Sequence, residues 1–351
     1  MQKKILGALC IALLLTFLLA GCGGKSGSDT PPAKNESSNE ADFFKGKTVT
    51  IVVPHGAGGG YDTYARMIAP YLQKNLGCTV VVNNVTGAGG LIGRNQVYTA
   101  GPDGLTVGFS TLPGMLFAQM AGSDGVKYDV GKFTWLPRVG YEAHVLAVNP
   151  KKGLGALEDF QKAKEVKLGF SGVGSDDYYT SLILSKFLKL NIVPVPGYSG
   201  SNEANLAAVR GEVDGIQTTI STLMPLINSK DLKPVVQFSD KPESAIKDVP
   251  LAVEEVKRLK VDEAVPVIQA LTNTFLLDRV FYAPPGVPAG RAKALQEAFD
   301  KSLKDPEFLA AAAKSKRPIS YASGEDVAKM VKQIAEQSNA LTALIKEVAK
   351  K

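Results

Sequence analysis

Short β-branched runs end in glycine-rich loops and pass straight into helical patterns in both halves of this chain, an order that leaves few folds open. Lys47–Val53 is followed by Pro54, His55 and Gly56-Ala57-Gly58-Gly59-Gly60, and then Tyr64, Ala65, Ile68, Leu72 and Leu76 recur at helical spacing. Thr79–Asn83 leads through Gly87-Ala88-Gly89-Gly90 into a second helical pattern, and Leu105–Ser110 follows the turn Gly101-Pro102-Asp103-Gly104. Past residue 145 the order restarts. Val166–Ser171 precedes Gly172-Val173-Gly174-Ser175 and a helix carrying Tyr179, Leu182, Ile183 and Phe187. Asn191–Val195 precedes the loop Pro196–Ser201 and a helix reaching about Arg210. Val213–Thr218, Lys233–Phe238 and Phe275–Ala283 read as extended, with closing helices over 288–302 and 323–348. Val327, Met330, Val331, Ile334, Leu341, Leu344, Ile345 and Val348 share one face of the last helix, a stripe that reads as core packing.

Strands alternating with helices imply βαβ units and largely parallel sheets. The expected fold class is α/β, with two α/β lobes and a ligand cleft between them, at the ends of the strands. The expected division puts 43–144 and 276–351 in the first lobe and 145–275 in the second. The chain would cross near Tyr141–Val148 and return near Leu271–Tyr282.

The N-terminus reads as an address. Lys3 and Lys4 precede an apolar run of 16 residues, Ile5–Ala20, shorter than the roughly 20 a helix needs to cross a bilayer. A basic start, a short apolar core and small residues at its end describe a secretory signal peptide. Leu19-Ala20-Gly21-Cys22 resembles the lipobox of bacterial lipoproteins, in which the cysteine is acylated and becomes the first mature residue. Residues 1–22 are therefore expected to be a lipoprotein signal ending at Cys22. Residues 23–42 contain no large aliphatic side chain and cannot offset the entropy of ordering. They are expected to be a tether of roughly 25 Å root-mean-square reach.

Composition excludes more than it suggests. The formal net charge is +6, two units of which leave with Lys3 and Lys4, and no basic block interleaves with aromatics, so no nucleic-acid partner is expected. Cys78 is the only cysteine of the body and His55 and His144 are the only histidines. Neither a disulfide framework nor a histidine-rich metal site can be built from these, and no cofactor is expected.

A strand–glycine–helix junction leaves backbone N–H groups unpaired at a helix start, where the helix dipole also favours negative charge. Glycine lets a ligand reach the backbone. That chemistry suits a carboxylate or a phosphate, each charged hydrogen bond contributing about 1.5–3 kcal/mol, with no Arg or Lys required. No G-x-x-x-x-G-K-[ST] motif occurs, and G-x-G-x-x-G fails at Tyr61 and at Ile92. Gly197-Tyr198-Ser199-Gly200-Ser201 misses the G-x-S-x-G elbow by its last residue, which leaves an exported esterase as the main enzyme alternative.

Val52-Val53-Pro54-His55-Gly56-Ala57-Gly58-Gly59-Gly60-Tyr61-Asp62-Thr63-Tyr64-Ala65-Arg66 resembles the opening signature of the tripartite tricarboxylate transporter substrate-binding proteins, or Bug receptors, here in lipoprotein form. Val81–Gly93 resembles that family's V-x-N-x-x-G-A-G-G-x-x-G segment, and Gly101–Thr106 its P-D-G-Y-T turn. Ser171–Ser175, Val195–Gly200 and Ala283–Pro288 stand where the family has G-x-G-S, V-P-Y-x-G-x and A-P-x-G-[TV]-P. The resemblance implies a type II periplasmic-binding-protein-like fold closing on a small organic carboxylate. It also implies large and small integral membrane subunits as partners, and a monomeric receptor held by lipid on the extracytoplasmic face of a membrane. Sensing the ligand for a signalling partner is the alternative use of such a receptor.

Carried over by that resemblance, the first-lobe contacts would be His55, Gly56, Ala57, Gly58, Gly59 and Gly60, with Asp62 and Thr63 at the helix start. Gly87, Ala88, Gly89 and Gly90 would shape the adjacent wall, with Ser110 and Thr111 reaching in from the third strand. Ser171, Gly172, Val173, Gly174, Ser175, Asp176, Tyr198, Gly200 and Ser201 would face them. His55 replaces the family's usual aromatic, and Pro196-Gly197-Tyr198 is one residue longer than its V-P-Y. Asp62 also fits a helix cap. Asp176 and Asp177 fit either a cap or an anchor for a ligand ammonium. Arg66 and Arg94 are expected to pair on the surface, and Tyr178 and Tyr179 to divide between crevice and core.

Overall fold

In the computed structural model, which describes residues 40, 42–337 and 339–349, the β-branched runs form two five-stranded sheets. The lipobox, Cys22 and most of the tether lie outside the described residues. In chain order the strands are β1 (Thr48–Val53), β2 (Thr79–Asn84), β3 (Thr106–Ser110), β4 (Thr134–Arg138), β5 (His144–Val148), β6 (Val166–Gly169), β7 (Ile192–Val195), β8 (Gly215–Thr219), β9 (Lys233–Phe238) and β10 (Val280–Ala283). One sheet has the order β2-β1-β3-β10-β4 and the other β7-β6-β8-β5-β9. The fold is the expected two-lobed α/β class.

Each sheet is a parallel trio continued by antiparallel pairing: β10 runs against β3 and β4, and β5 against β8 and β9. Four of the five strands in each sheet therefore point the same way, as expected of largely parallel sheets, with β10 and β5 the reversed ones. The trios end toward the space between the sheets, where their glycine loops lie. A strand entering from that space must run the opposite way, and β5 and β10 both enter from it. The chain leaves the first sheet through Val139–Ala143 and returns through Leu276–Arg279.

Burial on both faces explains why β1 reads as an unbroken apolar run. Val49, Ile51 and Val53 pack with the helix Gly60–Leu76 and the helix Ala289–Leu303 in one core, while Val52 faces a second core. That second core runs on into the other sheet through Leu146, Leu168 and Tyr179, and a third closes its far face with Val145, Ala207 and Leu223.

One element differs from the sequence reading. Phe275 ends a helix, Val265–Phe275, and only Val280–Ala283 of the extended reading is strand. Apolar residues in a short buried run do not separate helix from strand by period alone. Of the helix expected over 323–348, Gly324–Gln337 and Asn339–Ala349 are helical. Val327, Val331, Ile345 and Val348 from their shared stripe are buried.

Gly108 on β3 lies opposite Tyr282 on β10. A Cβ there would sit 2.2 Å from the Tyr282 ring, which is fully buried against Phe133 and Trp135. Gly108→Ala should therefore destabilise the fold by about 1–3 kcal/mol through overpacking, read as a lower urea midpoint; an unchanged midpoint would contradict this packing.

Candidate ligand-binding site

Helix starts converge between the two sheets. The helices Gly60–Leu76, Asp176–Phe187, Ser201–Arg210 and Ile220–Asn228 begin just beyond the ends of β1, β6, β7 and β8. Their N-cap residues, Gly59, Ser175, Gly200 and Thr219, make no side-chain capping bond. All four N-caps line one cavity of about 60 Å³. The converging helix dipoles give the cavity a positive potential, although at the last of these helices the Ile220 and Ser221 amides are bonded to the Ala143 carbonyl and to Glu142. It is roofed by direct contact between loops: Gly56 N–H donates to the Ser199 carbonyl at 3.0 Å, and a Cβ on Gly200 would meet Gly56 N at 3.0 Å.

Arg279 forms part of the wall and is fully buried. Its Nη2 lies 2.8 Å from Glu142 Oε1 and donates to Thr219 Oγ1 at 3.1 Å. Its guanidinium lies 4.5 Å from the Tyr64 ring centroid, and Nε and Nη1 have no partner. Glu142 is held in turn by the Tyr64 hydroxyl at 3.2 Å and the Ser221 amide at 2.9 Å. Arg279 itself has φ +55°, a left-handed conformation that sets its side chain apart from the strand it precedes.

Acids meet this cationic wall unevenly. Asp278 is fully buried and accepts from the Tyr61 hydroxyl. Burial would raise its pKa, but His144, Arg279 and Tyr61 hold it down at about 2. Asp176 is raised by burial, with His144 opposing and Asp278 adding to the effect. Asp177 is pushed up to about 7 by burial and by Asp176. His144 stacks on Phe275 at 3.9 Å, its Nδ1 2.8 Å from Gln217 Nε2 and 3.5 Å from Asp176 Oδ2. His55 stacks on Tyr61 at 4.1 Å; burial first, then Arg94, lowers its pKa to about 3, so the ring is neutral near pH 7.

The sequence profile of the tripartite tricarboxylate transporter family receptor matches residues 64–349. The chain belongs to that receptor family. A UPF0065 protein from the TAR-I ttuE-ttuC' intergenic region of Agrobacterium vitis is 29% identical to this receptor over 278 residues, 76% of this chain and 75% of that protein. A solved structure of a periplasmic transporter is similar with a TM-score of 0.70 and 28% identity, covering 87% of this receptor and 97% of that chain. MatC from Rhodopseudomonas palustris, solved with bound malate, shares the fold at a TM-score of 0.70 and 24% identity, covering 87% of this receptor and 99% of that chain.

Of the residues singled out in the receptor's sequence, the structure brings His55, Gly56, Gly59, Gly60, Ser171, Ser175, Asp176, Gly200 and Ser201 to the cavity. Others it places elsewhere. Ala57, Gly58 and Val173 are exposed. Asp62 is buried as a cap, accepting from Gly58 N–H at 2.8 Å and pairing with Arg66 at 2.9 Å, while Thr63 bonds the Gly59 carbonyl. Gly87, Ala88, Gly89 and Gly90 pack against the loop Gly172–Ser175: a Cβ on Gly89 would lie 2.5 Å from the Gly172 carbonyl and from Gly174 N. Ser110 bonds Arg94, Thr111 caps the helix Leu112–Ala121, and Tyr198 packs over Gly169.

Two expectations are corrected. Arg94 is not on the surface; it is fully buried and donates to the Gly174 carbonyl at 2.7 Å. The site also does contain an arginine. Arg279, His144, Gln217, Thr218, Thr219, Thr222, Tyr61 and Asp177 complete the lining. A charged pair, Asp278-Arg279, inside the apolar run Phe275–Ala283 was the available signal for part of it. Of the tyrosine pair, Tyr179 is core, bonded to Ser123, and Tyr178 stacks on Phe170.

An unfolded imidazole takes a proton at 6.5, but His55 in the fold not until about 3. The stability that its neutral ring contributes is full above pH 6.5 and is lost as pH falls toward 3. His55→Phe should flatten that acid loss, measured as the urea midpoint at pH 7 and pH 4; equal losses in both proteins would contradict it.

Proposed function

We propose that this receptor captures a small organic carboxylate between its lobes and hands it to the large and small membrane subunits of a tripartite transporter. The observation that carries the reading is the convergence of four helix starts on one enclosed cavity beside the unpartnered Nη1 of a buried arginine. Arginine and backbone amides together suit a carboxylate through charge-assisted bonds of about 1.5–3 kcal/mol each. A relative of the same fold, MatC, holds malate. Ligand contacting both lobes favours the closed arrangement by its differential affinity. Lipid on Cys22 and a tether over 23–42 would keep the receptor on the extracytoplasmic face near its transporter. Among the described residues no helix is long and apolar enough to cross a membrane.

No observation favours the hydrolase alternative. Ser110 Oγ, 3.5 Å from His55 Nε2, is fully buried and already accepts from Arg94.

A Cβ on Gly60 would lie 3.2 Å from Arg279 Nη1 and 3.3 Å from Thr222 Oγ1, so Gly60→Val fills the site rather than the core. In calorimetric titration with a panel of small mono- and dicarboxylates, the receptor should bind at least one, and Gly60→Val should weaken it at least about tenfold, or 1.4 kcal/mol. Undiminished binding by the variant, or no binding by any carboxylate, would refute the proposal.

A further inference from the structure

The cavity is bipolar. At one end, Arg279 Nη1 has no partner, and Thr219, Thr222 and Gly60 stand beside it. At the other end the wall is made of acceptors. Asp176 and Asp177 line it, and among the described residues neither pairs with a lysine or arginine; Asp176 lies 3.5 Å from His144, with Arg94 farther off. Gln217, only 3% exposed, turns its amide nitrogen to His144 and leaves Oε1 with no partner. A buried acceptor without a donor is costly, and Gln217 Oε1 lines the same space as two acids whose partners are His144 and the Tyr178 amide rather than a full cation.

The two ends are close together. Gln217 and Thr219 alternate on β8 and point to the same side of the sheet, which places them about 6.6 Å apart along the strand. His144 on β5 lies directly opposite Thr219 and bridges toward Asp176 and Asp278. The cavity is small, about 60 Å³. A dicarboxylate in this arrangement would set its second carboxylate against Asp176 and Asp177.

We propose, resting on the receptor reading above, that the ligand carries a primary ammonium beside its carboxylate, and that this receptor takes a small amino acid. The carboxylate meets Arg279 and the open helix starts. The ammonium donates to Asp176, Asp177 and Gln217 Oε1, giving Gln217 the donor it lacks and the two acids a cation. A deaminated or hydroxylated acid of the same shape satisfies the first end and leaves the second with too few donors or none.

The test uses series that differ at one group: L-alanine, L-lactate and propionate, and L-aspartate, L-malate and succinate, titrated calorimetrically into the mature protein. The amino member of at least one series should bind at least tenfold tighter than its hydroxy and deaminated counterparts, and Asp177→Asn should remove that margin. A pH profile reads the same contact without a mutation. Asp177 is surrounded by Asp176 on its own helix and His144 on β5, and Asp176 in turn by Asp278 and Arg94. With Asp177 titrating at about 7, amino-acid affinity should fall by up to about tenfold from pH 8 to pH 6, and the profile should flatten in Asp177→Asn. If in neither series the amino member binds at least tenfold tighter than its hydroxy and deaminated counterparts although an acid binds, or if amino-acid affinity rises from pH 8 to pH 6, the amino-acid assignment is overturned while the carboxylate receptor stands. If no member of either series binds, both fail.

Discussion

The ion pair between Arg279 and Glu142 holds the centre of this molecule. Each residue comes from one of the two segments that join the sheets, Leu276–Arg279 and Val139–Ala143, so the pair ties the connections to each other. Tyr64 from the first lobe and Thr219 and Ser221 from the second attach to the same two side chains. Taking both charges out of water is costly, and removing one partner of such a pair typically costs about 3–5 kcal/mol. Only Nη2 of the arginine is used inside the protein. The unused side of the guanidinium faces the cavity, and structural joint and ligand contact therefore share one residue.

Around that joint, glycine performs two separate tasks. Gly56, Gly59, Gly60 and Gly200 expose backbone to the cavity. Gly89, Gly172 and Gly174 instead let two loops from opposite lobes touch backbone to backbone, with Arg94 spanning from one to the other. The first set offers amides to a ligand and the second brings the lobes together around it. The half-buried acids of the second lobe, Asp176 and Asp177, which among the described residues pair with no lysine or arginine, then bias which ligand makes closure favourable.

Much of this architecture was legible from residues alone. β1, β2, β3 and β6 to β9 follow from their extended apolar runs, those of β1, β2, β6 and β7 leading into glycine loops, and the helices after them from apolar spacing. The cavity residues within those loops were found for the same reason: a glycine loop before a helix announces its open amides. The rest of the wall carries no local signal. Gln217, Thr219 and His144 are single polar residues at strand ends, brought together only by the antiparallel register of β5 and β8. Arg94 was misplaced because a helix of eight residues, Leu91–Tyr98, has too little amphipathic contrast to show which side is inside. The glycines at 87–90 looked identical to those at 56–60, and only the loop facing them separates their roles. Asp278-Arg279 was the exception, a charged pair in a buried apolar run whose presence requires a partner or a function.

The central claim is that open backbone amides at the converging helix starts, with Arg279, hold the ligand. Amide chemical-shift mapping of the ¹⁵N-labelled mature protein measures this directly, because glycine amides fall in a distinct spectral region. On titration with the tightest-binding small acid, the amides of Gly59, Gly60, Gly200 and Ser201 and the Arg279 side-chain Nε–H should move together with one saturation curve. Saturable shifts confined to other surfaces, with these signals unmoved, would contradict the account.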